Sequence, residues 1–206
     1  VNGRKKDEKK TASRRPVMCP GCSHRPVFTV LKKLKVVVTG DIGCYTLAAL
    51  PPLSALHTCV CMGGGITMFE GMKRAGEKKV VGVIGDSTFV HSGITGLINA
   101  VYNKQKGLVI ILDNSTTAMT GGQPHPGTGF TIKMEPTKKL DLADICRSAG
   151  ADNVDVVDPF DMQNLETLIR KRMEESAMSV IIARFPCRVV SRTKNICPEV
   201  LRDTCK

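Results

Sequence analysis

Two strongly apolar segments, each followed by polar residues, constrain the fold of this chain more than any other feature. Residues 80–84 (VVGVI) and 108–112 (LVIIL) are continuous apolar runs, which are typical of buried strands in parallel sheets. The stretch between them, residues 93–104, has the pattern of a helix. Because strand, helix and strand form a unit with parallel strands, we expect Asp86 and Asn114, which follow the two runs, to lie at the same edge of one sheet.

The residue types at these two strand ends are those of a site for Mg²⁺ and a diphosphate. Open α/β sheets bind ligands at the carboxyl edge of their strands, and Mg²⁺ prefers an octahedron of oxygen ligands. Asp86 offers a carboxylate, Asn114 an amide oxygen, and Thr116 a main-chain carbonyl. Gly85 lets a diphosphate approach the backbone, and the helix that we expect after His91 directs its N-terminal N–H groups toward it. Either polar pair alone is also typical of turns that close strands, and the shared edge favours the binding site.

Composition and charge exclude several classes of protein. The net charge is +11, but residues 1–15 alone carry seven Lys or Arg against two acidic residues. The chain has no Trp and two Tyr, which leaves few side chains for stacking on bases, so we predict no nucleic-acid partner. No apolar run reaches the ~18–20 residues that span a bilayer and no secretory signal is visible, so we predict no membrane partner and a cytoplasmic location. Since the first residue is Val rather than Met, we expect a fragment of a longer protein or a processed product.

The alternation of strand and helix patterns predicts an α/β fold, a doubly wound and mostly parallel sheet with helices on both faces. We expect a basic linker at 1–16, one domain at 17–190, and at 191–206 a basic tail or the start of a further segment. The long polar segment 115–138 is predicted to be a binding loop, because long loops in compact domains are usually functional. The other predicted strands are 35–39, 154–157 and 179–185, and the other predicted helices are 26–33, 62–74, 140–149 and 162–176.

Several motifs resemble one enzyme family. Gly-Asp-Ser at 85–87, followed by Asn114, is similar to the thiamine diphosphate motif, in which Gly-Asp-Gly precedes an Asn at a similar interval. The segments 40–45 (GDIGCY), 61–63 (CMG) and 113–129 (DNSTTAMTGGQPHPGTG) resemble the alpha subunits of indolepyruvate ferredoxin oxidoreductases, within the wider 2-oxoacid:ferredoxin oxidoreductase family. The resemblance covers about residues 17–190. Ser at position 87 departs from the general thiamine motif but is normal for this subfamily.

The resemblance implies an enzyme that uses thiamine diphosphate and Mg²⁺ to decarboxylate aryl pyruvates, such as indolepyruvate, oxidatively. It implies that electrons pass through iron–sulfur clusters to ferredoxin and that coenzyme A accepts the acyl group. The partners implied with the 2-oxoacid substrate are a beta (gamma-type) subunit and a pyrimidine-binding domain or subunit. That pyrimidine-binding domain supplies a Glu which helps to activate the cofactor, and in the family it lies upstream of the part that this chain resembles. We therefore expect the chain to be inactive without it.

The resemblance also assigns roles to individual residues. It places Asp86, Asn114 and the Thr116 carbonyl on Mg²⁺, and it places a further set of residues against the diphosphate or the thiamine. This set comprises Gly43, Met62, Gly63, Gly85 and Ser87, and Gln123 is a candidate for contacting the diphosphate or the substrate. His125 is the catalytic candidate, because a histidine can transfer protons near neutral pH. The alternative for His125 is a loop histidine that only forms a structural hydrogen bond.

The nine cysteines are the second group of residues that can carry chemistry. An odd count without a secretion signal argues against a disulfide framework. The turn Cys19-Pro20-Gly21-Cys22 fits two corners of an iron–sulfur cluster, a zinc ion or a redox dithiol. The resemblance to 2-oxoacid oxidoreductases implies four ligands of a possible [4Fe–4S] cluster: Cys19, Cys22, Cys44 and Cys187. Three further cysteines are predicted to be small buried residues: Cys59, Cys61 and Cys146.

Two alternative functions stay open from the sequence. The same chemistry can act on another 2-oxoacid, such as pyruvate or 2-oxoglutarate, because substrate contacts also come from the pyrimidine-binding domain. A chain built on the CxxC turn and basic ends can also be a non-enzymatic metal-binding module. The two classes differ in whether Asp86 is needed for binding thiamine diphosphate with Mg²⁺.

Overall fold

The fold is a single parallel sheet of six strands in the order β2-β1-β3-β4-β6-β5. The computed structural model describes residues 16–191, so the predicted linker and tail lie, except for their innermost residues, outside the described residues. The strands are β1 (Val37–Gly40), β2 (Thr58–Cys59), β3 (Val80–Gly85), β4 (Gly107–Asp113), β5 (Asn153–Val157) and β6 (Met178–Arg184). The helices are α1 (His24–Leu34), α2 (Gly64–Arg74), α3 (Asp86–Thr88), α4 (Ile94–Tyr102), α5 (Leu142–Ser148) and α6 (Met162–Glu174).

Two hydrophobic clusters, one on each face of the sheet, form the core. In β4, Leu108 and Ile110 join the cluster that includes residues of α1 and α6, whereas Val109 and Ile111 join the cluster formed with α2, α4 and α5. Because successive strand side chains point to opposite faces, a strand covered on both faces must be apolar throughout. This arrangement explains the continuous apolar runs, and it confirms the predicted doubly wound α/β fold.

The sheet brings the two predicted strand ends to one edge. Strands β3 and β4 pair in parallel, with Gly85 opposite Leu112 in the register. Beyond these residues, Asp86 and Asn114 leave the sheet at the same side. The strand order reverses direction between β1 and β3, so the loops that follow these two strands diverge and leave a crevice, where open α/β sheets bind ligands.

The helical segment between β3 and β4 begins earlier than the sequence pattern predicts. Helical backbone starts at Asp86 in α3, continues through a π-helical turn at Phe89–Gly93, and only then enters α4. The Gly-Asp-Ser sequence is typical of a turn, but the Asp86 carboxylate accepts the Ser87 N–H at 2.8 Å and the side chain of Phe89 is fully buried. The expectation of a helix beginning only after His91 is therefore wrong, and the helical N-terminus lies at Asp86 itself.

Some local features have no counterpart in the predictions. The two-residue edge strand β2 and the 3₁₀ helix Cys44–Ala49 are too short to leave a periodic pattern. Cys146 is buried as predicted, but Cys59 and Cys61 are exposed, because they belong to this short edge strand and the loop that follows it. Among residues 16–191, no helix is long and apolar enough to cross a membrane.

Candidate functional site

A cavity of about 100 Å³ opens at the carboxyl edge of the sheet, between the loops that follow β1, β3 and β4. Its position corresponds to the crevice created by the reversal of strand order. Most of the residues predicted to bind the cofactor or Mg²⁺ line it: Gly43, Met62, Gly85, Asp86, Ser87, Asn114 and Thr116. The fold therefore gathers side chains that are far apart in the sequence into one polar site.

Asp86 is the buried acidic group at the centre of this cavity, with 3% of its surface exposed. One carboxylate oxygen accepts the Ser87 N–H, and the other, Oδ2, lies 3.2 Å from Nε2 of His125. Burial raises the pKa of this carboxyl, and the hydrogen bond from His125 acts in the opposite direction. Each carboxylate oxygen can accept more than one bond, so these contacts orient Asp86 and leave acceptor positions for a cation.

His125 lies behind Asp86, is itself buried, and is not in the cavity wall. Its Nδ1 accepts the Gly127 N–H at 3.2 Å, so Nδ1 carries no proton. The hydrogen-bond network therefore assigns the neutral tautomer in which Nε2–H donates to Asp86. Both ring nitrogens are thus engaged by the protein, and the proton-transfer role of His125 stays a prediction.

Asn114 is held at both ends of its side-chain amide. Its Oδ1 accepts the Thr116 N–H at 3.2 Å, and its Nδ2 lies 3.3 Å from Nε2 of His24. The main-chain carbonyl of Asn114 accepts the N–H of Cys187 at 3.0 Å. The Thr116 carbonyl accepts no hydrogen bond from any residue between 16 and 191, so it is free for a ligand.

A buried carboxylate that the sequence analysis overlooked, Asp41, joins the two loops on the other side of the cavity. It accepts a hydrogen bond from the Tyr45 hydroxyl on one oxygen and from the Gly63 N–H on the other, the latter at 2.7 Å. Burial of this fully enclosed side chain raises its pKa to about 6. The available signal was its position, because Asp41 follows β1 as Asp86 follows β3.

Two glycines of the predicted set permit close packing around the cavity. Gly63 has a φ of +88°, and a Cβ there would lie 2.5 Å from Oγ of Ser92, which donates a hydrogen bond to the Met62 carbonyl. At Gly85, the last residue of β3, a Cβ would lie 3.0 Å from the ring of Tyr45. Side chains at these positions would collide with the residues that shape the cavity wall.

Of three other residues predicted to bind the cofactor, Gly43 and Ser87 line the cavity and Gln123 does not. The N–H of Gly43 donates to Oγ1 of Thr46, which fixes the start of the 3₁₀ helix, and Ser87 Oγ lies 2.8 Å from Oγ1 of Thr117 across the cavity wall. The amide of Gln123 bonds to Thr120 through both of its ends, and Gln123 does not line the cavity. A contact between Gln123 and the diphosphate stays a prediction.

A second and larger cavity, of about 510 Å³, lies next to the first. Its walls include all four cysteines of the predicted cluster set, Cys19, Cys22, Cys44 and Cys187. Burial raises the pKa of Cys22 and Cys44, and the neighbouring thiols of the set raise it further. The backbone N–H groups of His24 and Arg25 face the Cys22 sulfur and lower its pKa in part.

The spacing of these thiols differs from that of a single-ion site. Within residues 16–191, no three Cys, His, Asp or Glu side chains converge on a point where they could hold one metal ion. Ligands of an iron–sulfur cluster lie farther apart, because each thiolate binds a different iron. Four thiols around one cavity are compatible with the cluster that the resemblance implies, and the cluster and the alternative of a zinc ion both stay predictions.

The family of the chain follows from its sequence. The family model of the C-terminal, thiamine pyrophosphate-binding domain of thiamine pyrophosphate enzymes matches residues 41–183. This chain belongs to that family. The match begins at Asp41 and includes Asp86, Asn114 and Thr116, so the polar cavity lies within the thiamine diphosphate-binding domain. The predicted thiamine diphosphate-binding fold is confirmed.

Relatives with a similar sequence carry the name predicted from the motifs. The chain is 40% identical over 186 residues to indolepyruvate oxidoreductase subunit IorA of Archaeoglobus fulgidus, covering 88% of this chain and 30% of that protein. It is also 40% identical over 200 residues to IorA of Pyrococcus horikoshii, covering 89% of this chain and 31% of that protein. The chain thus spans about a third of the length of these relatives.

Three further comparisons concern more distant proteins. The chain is 27% identical over 194 residues to 2-oxoglutarate synthase subunit KorB of Archaeoglobus fulgidus, covering 86% of this chain and 72% of that protein. It superposes with a TM-score of 0.69 on a 2-oxoglutarate:ferredoxin oxidoreductase from Magnetococcus marinus, at 16% identity, covering 85% of this chain and 66% of the other. A 4-hydroxybenzoylformate decarboxylase from Rhodococcus jostii superposes with a TM-score of 0.59 at 17% identity, covering 86% of this chain and 35% of the other. The two structural likenesses support the fold.

Proposed function

We propose that this chain forms the diphosphate- and magnesium-binding part of an indolepyruvate ferredoxin oxidoreductase. Such an enzyme decarboxylates aryl pyruvates oxidatively to the acyl-CoA and passes the electrons to ferredoxin. The proposal rests above all on one observation. Oxygen-bearing groups of Asp86, Asn114 and Thr116 surround one cavity, in a chain that is 40% identical to IorA proteins over most of its length.

The residues present fit a magnesium ion. Asp86 keeps free acceptor positions, the Thr116 carbonyl has no partner within the described residues, and Asn114 turns its amide oxygen away from His24. These are three oxygen ligands of the kind that Mg²⁺ prefers, and a diphosphate and water would complete an octahedron. Mg²⁺ would be held by Asp86, Asn114 and the Thr116 carbonyl.

The surroundings of these ligands fit a diphosphate and part of a thiamine. Helical backbone begins at Asp86, beside Gly85 and Ser87 in the cavity wall, and the N-terminal end of a helix suits an anionic group. Gly43, Met62 and Gly63 would form the side toward the thiamine. When bound, thiamine diphosphate supplies the carbon that attacks the 2-oxoacid, and the residues named here bind and orient its diphosphate.

The size of the cavity supports a shared site. At about 100 Å³ it is smaller than the roughly 300–1,000 Å³ that typically enclose a whole drug-sized ligand. A pyrimidine-binding domain or subunit would enclose the remainder of the cofactor and supply the activating Glu. The chain is therefore proposed to be inactive alone and to act with that partner and with a beta (gamma-type) subunit in the cytoplasm.

The four-cysteine cavity is proposed to hold a [4Fe–4S] cluster with ligands Cys19, Cys22, Cys44 and Cys187. Four thiols share the cavity, and Cys44 lines both this cavity and the polar one. A cluster there would lie beside the thiamine diphosphate site and would receive the electrons of the oxidation.

A second candidate substrate class, other 2-oxoacids, is favoured by one observation. The chain covers 72% of the length of a 2-oxoglutarate synthase subunit, whereas it covers about a third of the IorA proteins. The higher identity to IorA, 40% against 27%, makes aryl pyruvates the leading proposal.

A substrate comparison on the intact protein tests the proposal. The intact protein, purified anaerobically with its partner subunit, would be given coenzyme A, oxidised ferredoxin, and indolepyruvate, pyruvate or 2-oxoglutarate in turn. We expect ferredoxin reduction to be fastest with indolepyruvate. A preference for pyruvate or 2-oxoglutarate would support the second candidate, and no reduction with any 2-oxoacid would overturn both.

A further inference from the structure

A buried histidine that has no assigned role, His24, stands between the two cavities. It is the first residue of α1, is 3% exposed, and lines both the polar cavity and the cysteine cavity. Its Nε2 lies 3.3 Å from Nδ2 of Asn114, and its ring meets the ring of Tyr45 edge-on at a centroid distance of 6.3 Å. Neither His24 nor this contact is marked by a motif in the sequence.

The contact with His24 decides which end of the Asn114 amide faces the cation site. Nδ2 of Asn114 is a donor, so Nε2 of His24 must be the unprotonated nitrogen that accepts from it. At the other end, Oδ1 accepts the N–H of Thr116. A flipped amide would place donor against donor at Thr116, and it would place an acceptor against His24 unless the imidazole took the Nε2–H tautomer. The Thr116 N–H and the Nδ1–H tautomer of His24 therefore select the same orientation.

We propose that His24 is a positioning residue that fixes the Asn114 amide so that its oxygen, and not its nitrogen, is presented to Mg²⁺. This inference rests on the proposed function, which makes Asn114 a ligand. Outer-shell partners of this kind typically change metal affinity about 10–100-fold when removed. His125 forms a hydrogen bond with Asp86, so each proposed side-chain ligand would have its own histidine.

The position of His24 also ties the cation site to the cysteine cavity. His24 is two residues from Cys22 in the chain, and the Asn114 carbonyl accepts the N–H of Cys187. The Asn114 side chain therefore contacts His24, at the start of α1, and the Asn114 carbonyl contacts Cys187. Cys187 is a proposed cluster ligand, and α1 begins just after another, Cys22. A displacement of His24 is transmitted to Asn114 by direct contact.

Two substitutions at His24 test the positioning role in the intact protein. The measurement is calorimetric titration of Mg²⁺ in the presence of saturating thiamine diphosphate. His24→Phe keeps a ring against Tyr45 but cannot accept a hydrogen bond, and we expect Mg²⁺ affinity to fall about 10–100-fold. His24→Gln carries an acceptor oxygen and should restore most of the affinity. His91→Phe and His91→Gln, at an exposed histidine outside both cavities, are the matched controls and should bind as the wild type does.

A double variant distinguishes orientation from packing. Asp at position 114 has two equivalent oxygens, so there is no amide to orient. In the Asn114→Asp background, the further change His24→Phe should therefore not weaken Mg²⁺ binding, and the two effects should be strongly non-additive. If His24→Phe lowered the Mg²⁺ affinity equally in the wild type and in Asn114→Asp, the positioning role would be overturned. The same conclusion would follow if His24→Phe and His24→Gln weakened Mg²⁺ binding equally.

A measurement on the wild-type protein guards against variants that do not fold. Nitrogen-15 NMR of selectively labelled histidine reports which ring nitrogen carries the proton. We expect the Nδ1–H tautomer for His24, with Nε2 unprotonated, and a protonated Nε2 would overturn the inference. Wild-type protein that shows this tautomer but binds no thiamine diphosphate with Mg²⁺ would overturn the proposed function, and with it the role of Asn114 as a ligand. Wild-type binding that is unchanged in His24→Phe would overturn the positioning role alone.

Discussion

The two neighbouring cavities are organised in different ways. In the polar cavity, Asp86 and Asn114 are each held by two hydrogen bonds, and Asp41 ties together the loops on the opposite side. In the cysteine cavity, Cys19 and Cys22 share one turn whereas Cys44 and Cys187 come from separate segments, and burial together with the neighbouring thiols raises the pKa of Cys22 and Cys44. The arrangement of the polar site is thus fixed by hydrogen bonds within the folded chain, whereas the thiols of the cysteine cavity would have to lose protons before they could bind a metal.

This difference implies that the two sites respond differently to substitution. A preorganised oxygen site loses affinity in steps as its supporting bonds are removed one by one. A cluster site depends on all of its ligands, because each iron needs its own thiolate. The predictions below use this contrast, and they run from the largest expected effect to the smallest.

The largest effect is expected at the cysteine cavity. Cys19→Ser should prevent stable cluster assembly, so that anaerobic reconstitution yields protein without the broad visible absorption of an iron–sulfur cluster. Binding of thiamine diphosphate with Mg²⁺ should remain, because Cys19 does not line the polar cavity. Cys61→Ser, at an exposed cysteine outside the set, is the control. If Cys19→Ser lost both the cluster and the binding of thiamine diphosphate with Mg²⁺, the two sites would not be independent.

The next effect concerns the pH dependence of stability through Asp41. The folded-state pKa of about 6 lies above the ordinary value of 3.8, so the native state binds more protons than the unfolded state between these two values. The resulting contribution to stability is fully present below pH 3.8 and is lost as the pH rises through about 6, amounting to about 3 kcal/mol. Chemical denaturation at a series of pH values should show this loss in the wild type but not in Asp41→Asn.

The control for Asp41 is Asp144→Asn, at an exposed carboxylate on α5. Other buried acids, such as Asp86, are present in both proteins and cancel in the comparison. If the stability of the wild type and of Asp41→Asn depended on pH in the same way, the pKa of Asp41 would not be raised in the folded state. The loops around the polar cavity would then be less preorganised than the hydrogen bonds indicate.

A smaller effect is expected from the support of Asp86. His125→Leu removes the hydrogen bond to the Asp86 carboxylate and leaves the Gly127 N–H without its acceptor. We expect Mg²⁺ affinity in the presence of thiamine diphosphate to fall about 10-fold. His91→Leu serves as the control at an exposed histidine. An unchanged affinity in His125→Leu would mean that Asp86 needs no partner to be oriented.

The smallest effect is expected at Ser87. Its hydroxyl forms one hydrogen bond, to Thr117, and this bond is only partly buried. Ser87→Ala should weaken thiamine diphosphate binding by a few-fold, in line with about 1 kcal/mol for one hydrogen bond. Binding titrations would detect it. A loss larger than that in His125→Leu would reverse the order of importance and place Ser87 in direct contact with the ligand.

The sequence allowed the sheet and its carboxyl edge to be predicted because these depend on strong local signals. The apolar runs that became β3 and β4 are buried on both faces, and the polar residues after them mark the same edge. The start of the helix after β3 could not be predicted, because it depends on the burial of Phe89 and on the hydrogen bond within Asp86-Ser87. Such tertiary contacts leave no periodic trace.

The supporting residues of the site were harder to identify than its ligands. His24 and Asp41 act through partners that are distant in the sequence, Asn114 and Gly63. Their residue types alone are compatible with many positions in a fold. The sequence contains only an indirect signal for them, since His24 follows the CxxC turn and Asp41 follows a buried strand.

The central claim is that Asp86 anchors Mg²⁺ and the diphosphate of thiamine diphosphate in the polar cavity. The most direct test is calorimetric titration of thiamine diphosphate into the intact protein, with Mg²⁺ and with a chelator, for the wild type and for Asp86→Ala. With Mg²⁺ we predict binding to the wild type, the same binding to the control Asp144→Ala, and at least about 100-fold weaker binding to Asp86→Ala. With the chelator we predict no binding to any of the three proteins. Equal binding by the wild type and Asp86→Ala, or no binding by the wild type, would contradict the claim.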